Sequence, residues 1–138
     1  RVARRVVTAR SAAPVVDSLL AARRAGGGAP PVVVISTYTM AVPWQGSIGL
    51  LPRVAAAFER LAARAPTVHA VFGDPYVVSG VPSASTVLLA WTGIGAAQRA
   101  AAEALVGAAP IGGRLPVDIP PAYPVGSGMT RAAVSGGR

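Results

Sequence analysis

The hydrophobic positions of this chain fall into blocks with two different periods. Pro31-Val32-Val33-Val34-Ile35-Ser36 is an unbroken, mostly β-branched run bounded by Pro and Ser. A run without polar alternation predicts a strand buried on both faces, the habit of parallel sheets covered by helices. It is too short for a buried helix, and the prolines before it oppose one. Thr67 to Phe72 and Ser85 to Trp91 repeat the pattern and predict two more buried strands. Between the runs the period becomes helical. Ser11 is the expected N-cap of a first helix, with Pro14 in its first turn and Val15, Val16, Leu19 and Leu20 on one face. Gly26-Gly27-Gly28 ends it. A second helix is predicted from Pro52 to Ala65 and a third from Ala96 to Val106, where Arg99 and Glu103 have i,i+4 spacing. Val6-Val7-Thr8 reads as a short strand and Val77-Val78-Ser79 as a helical turn.

Strands alternating with helices predict an α/β fold, a three-layer α/β/α sandwich around a mostly parallel sheet. Val32–Ser36 is expected at its centre. Residues 1–129 are expected to form one domain, incomplete at its N-terminus. Residues 130–138 read as a disordered tail. Thr37 to Leu50 is a long predicted loop holding Tyr38, Met40, Trp44 and Gln45. Loops of that length are uncommon and usually functional or disordered, and ligands in open α/β sheets sit beyond the carboxyl ends of the strands.

Composition narrows the chemistry. With 138 residues, 52% hydrophobic but only 5% aromatic, the core must be built from Ala, Val and Leu. There is no Cys, so disulfides and thiolate metal sites are excluded. One His and five carboxylates leave little for a metal cluster. No apolar stretch approaches a membrane span, and the Arg1-Val2-Ala3-Arg4-Arg5 start precedes no signal-peptide core. The net charge of +8 comes entirely from arginine. Such a charge can serve a nucleic-acid binder. An all-Arg complement beside abundant Ala, Gly and Pro also follows from GC-rich coding. Along the sequence the arginines form no stripe interleaved with aromatics, so no nucleic-acid partner is expected.

Candidate chemistry is sparse. Gly26-Gly27-Gly28 precedes a strand, whereas a phosphate-binding loop follows one. Gly93-Ile94-Gly95 does lie between strand and helix, where a helix start could take an anion. This supports a second reading, a stand-alone flavodoxin-like module for a small anion or nucleotide. His69 lies inside a strand and reads as a packed histidine. Asp17, Glu59 and Glu103 fall on helices, and Asp118 in the C-terminal extended piece. Asp74 alone follows a strand directly, a weak candidate for a catalytic carboxylate; Asp-Pro is a common turn dipeptide, the turn reading leads, and no catalytic residue is assigned.

Three stretches together resemble glycoside hydrolase family 3. Phe72-Gly73-Asp74-Pro75-Tyr76 is similar to that family's GNPY element. Leu89-Ala90-Trp91-Thr92-Gly93, with Ala97-Gln98-Arg99-Ala100-Ala101, resembles its strand-loop-helix AY…AAQRAAAEALFG. Gly113-Arg114-Leu115-Pro116-Val117 with Tyr123-Pro124-Val125-Gly126-Ser127-Gly128 resembles its closing GRLPVSLP…YPFGHGL. Asp74 stands where the family usually has Asn, and Ser127 where it has an aromatic or His. Ser36-Thr37-Tyr38 is similar to the end of an earlier strand in the same domain, so the resemblance spans roughly residues 31 to 129.

The resemblance implies the C-terminal α/β domain of a bacterial β-N-acetylhexosaminidase or β-glucosidase. It implies a TIM-barrel domain of the same parent protein as partner, with the nucleophilic Asp on that barrel, and a carbohydrate substrate. It implies no cofactor and no metal, and leaves the compartment open, export to the cell envelope included. The strand-end residues Tyr38, Met40, Trp44, Asp74, Tyr76, Trp91 and Gln98 are expected to face barrel or substrate. Trp44 and Trp91 are therefore expected to be partly exposed, forming an apolar patch with Tyr38 and Tyr76.

Overall fold

The structure is a computed structural model that describes residues 3–25, 31–40 and 49–134. It is a mixed α/β fold around an open sheet. Helix α1 (Ala12–Ala25) leads to strand β1 (Val33–Thr39), and helix α2 (Pro52–Ala62) leads to β2 (Thr67–Gly73). A 3-10 helix (Pro75–Gly80) leads to β3 (Thr86–Leu89), followed by helix α3 (Gly95–Leu105). The strand order is β1-β2-β3 and both pairings are parallel. Val33 is level with Thr67 and Tyr38 with Phe72, while Val68 is level with Thr86.

The register assigns side chains to faces. Ile35, His69 and Val87 share one face; Ser36, Ala70 and Leu88 share the other. Ile35 packs with Ala12, Val16 and Leu20 of α1 and Ala57, Phe58 and Leu61 of α2. On the same face Val71 meets Val77 and Val78 of the 3-10 helix and Ile119 of the C-terminal segment. On the opposite face Ala70 and Phe72 pack on Ala101 of α3.

The sheet centre differs from the expectation. The Val32–Ser36 run belongs to an edge strand, not the central one. In β1 Ile35 and Thr37 are buried, while Val34, Ser36 and Tyr38 are exposed. The strand buried through its middle is β2, paired on both sides. A continuous apolar run records hydrophobicity, not neighbours, so periodicity cannot tell an edge with one bare face from a centre.

Smaller expectations also change. Residues 3–8 form no strand. Ser11 directly precedes α1, as expected, and its hydroxyl is turned back to Thr8. The Thr8 N–H donates to Ser11 Oγ at 2.8 Å and the Ser11 N–H to Thr8 Oγ1 at 3.3 Å, a reciprocal cap. Thr37, Tyr38 and Thr39 extend β1 rather than opening the loop. Residues 41–48, with Trp44 and Gln45, lie outside the described residues. Arg99 and Glu103 form no ion pair; the ion pair among the described residues is Arg60–Asp17, at 2.8 Å between α2 and α1.

The C-terminal stretch is held by local bonds. The Leu115 N–H donates to the Ser127 carbonyl and the Gly126 N–H to the Leu115 carbonyl. Asp118 Oδ1 accepts from the Val125 N–H at 2.6 Å. Ile111 bridges Arg131, and the Val134 N–H reaches the Gly107 carbonyl, so residues 130–134 are tied to the domain. No helix among the described residues is long and apolar enough to cross a membrane.

Candidate functional site at the strand ends

All three parallel strands deliver the chain to the same edge of the sheet, where most of the candidate residues lie. Tyr38 is the next-to-last residue of β1. Its ring stacks on Phe72 of β2, with centroids 4.8 Å apart and planes 7° from parallel. The parallel register causes this, because Tyr38 is level with Phe72 on the same face. The Tyr38 hydroxyl donates to Gln98 Oε1 at 3.2 Å, and Gln98 Nε2 donates to the Gly93 carbonyl at 2.7 Å. A Cβ at Gly93 would press on Tyr38 Cδ1 at 3.3 Å, so the small residue lets the loop lie against the ring. Tyr38 nevertheless stays 57% exposed.

The turn after β2 is built around glycine and aspartate. Gly73 has φ +124, and the Asp74 N–H continues the pairing to the Thr39 carbonyl at 3.1 Å. Asp74 Oδ1 accepts from the Tyr76 N–H at 2.8 Å and so caps the 3-10 helix, with Pro75 in its first position. Asp74 thus has the turn role that its sequence also allowed. Tyr76 is exposed beside it, while Val77 and Val78 anchor the turn in the core.

Trp91 leaves β3 with φ +58, the one positive φ on a non-glycine residue among the described residues. The Thr92 N–H closes back on the Ala90 carbonyl at 2.7 Å, a tight turn with Trp91 at its apex. A bulky residue there costs about 1–2 kcal/mol. The turn tips the indole to the surface at 44% exposure. Met40, just past β1, is 82% exposed.

The structure thus joins Tyr38, Gln98 and Gly93 by hydrogen bonds and Asp74 with Tyr76 in a cap. Neither Tyr76 nor Trp91 makes a ring contact with Tyr38 or with another described aromatic. Phe72, a buried strand residue, is also the platform under Tyr38. The signal for that role was the register, which no single sequence displays. Trp91 is expected to report its exposure directly. In a Trp44→Phe background, its emission should be red-shifted and open to acrylamide quenching. A blue-shifted, protected indole would contradict this placement.

Beneath this edge lies His69, buried to 0% exposure. Its Nε2 is 3.1 Å from Thr37 Oγ1, and its Nδ1 has no partner among the described residues. Burial lowers the imidazole to about 4, so the ring is neutral at pH 7. The carboxylates are dispersed. Asp17 pairs with Arg60, Glu59 accepts from the Ser83 N–H and hydroxyl, and Asp118 and Asp74 cap backbone N–H groups. No three His, Cys, Asp or Glu residues gather to hold a metal among the described residues. The arrangement offers exposed aromatic and amide surface rather than a proton-transfer pair. Comparison with protein-family models, with curated proteins and with solved structures finds no match in any of the three.

Proposed function

We propose that this chain is the C-terminal α/β domain of a family 3 glycoside hydrolase acting on β-linked N-acetylglucosaminides or β-glucosides. Its finer architecture on this reading is a three-layer, flavodoxin-like sandwich. Its strand-end edge packs on a TIM-barrel domain of the parent protein and helps shape the sugar site. One observation supports this above the others. Residues of two stretches that resemble the family, around Asp74-Pro75-Tyr76 and Trp91 to Gln98, converge with Tyr38 on one edge and leave three aromatic rings exposed there. Exposed aromatics suit an interface core or a sugar face.

The chain by itself is then expected to be inactive. A retaining glycosidase needs two carboxyl groups about 5–5.5 Å apart, and Asp17, Glu59, Asp74 and Asp118 are each engaged singly, in a cap or a pair. Purified chain should not release nitrophenol from nitrophenyl β-N-acetylglucosaminide. Turnover that survives Asp74→Asn would place the chemistry elsewhere in the chain and overturn the reading, and so would turnover that Asp74→Asn abolishes.

A second reading has one feature in its favour. The first turn of α3, at Gly95, has no side-chain cap on its N–H groups. A flavodoxin-like anion or nucleotide module would use it. Saturable nucleotide binding in a calorimeter, abolished by Gly95→Pro, would favour that reading over the glycosidase one.

A further inference from the structure

The charge is unevenly distributed along the chain. Residues 1–66 hold nine arginines against Asp17 and Glu59, and residues 67–138 hold four against Asp74, Glu103 and Asp118. Nearly the whole net charge therefore lies in the N-terminal half. Strand β1 carries no charged residue. Five of these arginines, Arg23, Arg24, Arg53, Arg60 and Arg64, lie on α1 and α2 or in the turn after α2, helices that cover one face of the sheet together, while Arg4, Arg5 and Arg10 precede α1.

The fold orders these arginines. Arg53 and Arg60 are seven residues apart, two turns, so they share one side of α2 about 10 Å apart along the axis. Arg64 follows in the turn that closes the helix, its N–H on the Leu61 carbonyl. Arg60 marks where this side points. It reaches across to α1, bonding Asp17 and the Ala13 carbonyl. Arg23 and Arg24 lie in the last turn of α1. Asp17 offsets Arg60, and the Glu59 carboxylate is turned to Ser83. Arg24, Arg53 and Arg64 are exposed and have no side-chain partner among the described residues. Arg23 Nη1 is out of solvent with no acceptor among the described residues.

Two further features narrow the ligand. The exposed large hydrophobic residues near these helices are single ones just before them, Val6 and Leu51, and none lies within α1 or α2, so the helices present no apolar face to a bilayer. The one aromatic residue on them, Phe58, is buried, so unpaired bases find no stacking platform. What the two helices present is a set of guanidinium forks, the geometry that matches phosphate oxygens. We propose that the α1–α2 face binds the phosphate backbone of double-stranded nucleic acid without reading its sequence. A duplex carries one negative charge per about 1.7 Å, so arginines spaced along a helix meet several phosphates at once.

The test is fluorescence anisotropy of the full chain with two labelled duplexes of unrelated sequence, across about 25–200 mM NaCl. The expected result is equal binding to both, weakening steeply with salt. Arg24→Gln/Arg53→Gln/Arg64→Gln should weaken binding at least about tenfold and flatten the log–log salt slope by about three. Arg99→Gln/Arg114→Gln/Arg131→Gln removes the same net charge elsewhere and should stay within about threefold of the parent chain. Circular dichroism checks that both variants are folded, and single Arg53→Gln and Arg64→Gln variants replace the first triple if it is not. Absent binding at the lowest salt would overturn the proposal. So would equal losses in the two triple variants, or tighter binding to single strands, to phosphatidylglycerol vesicles or to polyglutamate.

Discussion

Gly73→Ala is expected to cost about 4 kcal/mol or more, a large part of the stability of a domain this size. Two independent effects combine at this position. The backbone sits at φ +124, a conformation that side-chain-bearing residues rarely adopt. A Cβ built there would also overlap the Thr39 carbonyl oxygen, which is backbone and cannot rotate away. That carbonyl accepts the Asp74 N–H that closes the β1–β2 ladder. Relief of the overlap must therefore separate the strand ends that carry Tyr38 and Asp74. Urea denaturation measures the effect, with Gly95→Ala as the control. Gly95 starts α3 and its built Cβ meets nothing within 4 Å. Alanine there should be neutral or stabilising by up to about 1 kcal/mol. A Gly73→Ala midpoint within experimental error of the parent would show that the strand ends are not held as described.

Stability should fall by about 3 kcal/mol as pH drops from 6.5 to 4, through His69 alone. The imidazole is lowered from 6.5 in the unfolded chain to about 4 in the fold because burial disfavours its charged form. Above pH 6.5 both states hold the neutral ring and the group has no pH effect. Between 6.5 and 4 the unfolded chain binds a proton that the fold refuses, so acid favours unfolding. Below about 4 the loss is complete. Urea midpoints across this range should fall in the parent chain and much less in His69→Leu. The variant should lose about 1–2 kcal/mol at pH 7, because Thr37, itself buried, loses its partner. Thr37→Val/His69→Leu should recover part of that loss. Equal acid sensitivity in parent and variants would show that His69 is not a buried neutral group.

Helix and strand positions were legible in the sequence because period and punctuation are local. Thr67–Gly73, Thr86–Leu89 and Gly95–Leu105 fall within a residue or two of the runs that predict them. Parallel pairing was legible too, since β1 and β2 are separated by a helix. Ser11 was legible as the residue before α1, but its bond back to Thr8 was not, because a sequence does not show which partner a capping side chain takes. The place of the Val32–Ser36 run was misread because an edge strand and a central strand can have the same composition.

The sequence by itself determined the three helices, the three strands and their order, the arginine-only charge and the exclusion of thiolate chemistry, but not every element boundary. All of these follow from residue type and from spacing over a few turns. The tertiary structure alone decided which strand is central, that Tyr38 lies on Phe72 and is tied to Gln98, and that Trp91 turns outward. It alone set the arginines of α1 and α2 on one side and closed His69 off from water. Each of those depends on residues brought level by strand register or helix packing across tens of positions, and a single sequence carries no record of that distance.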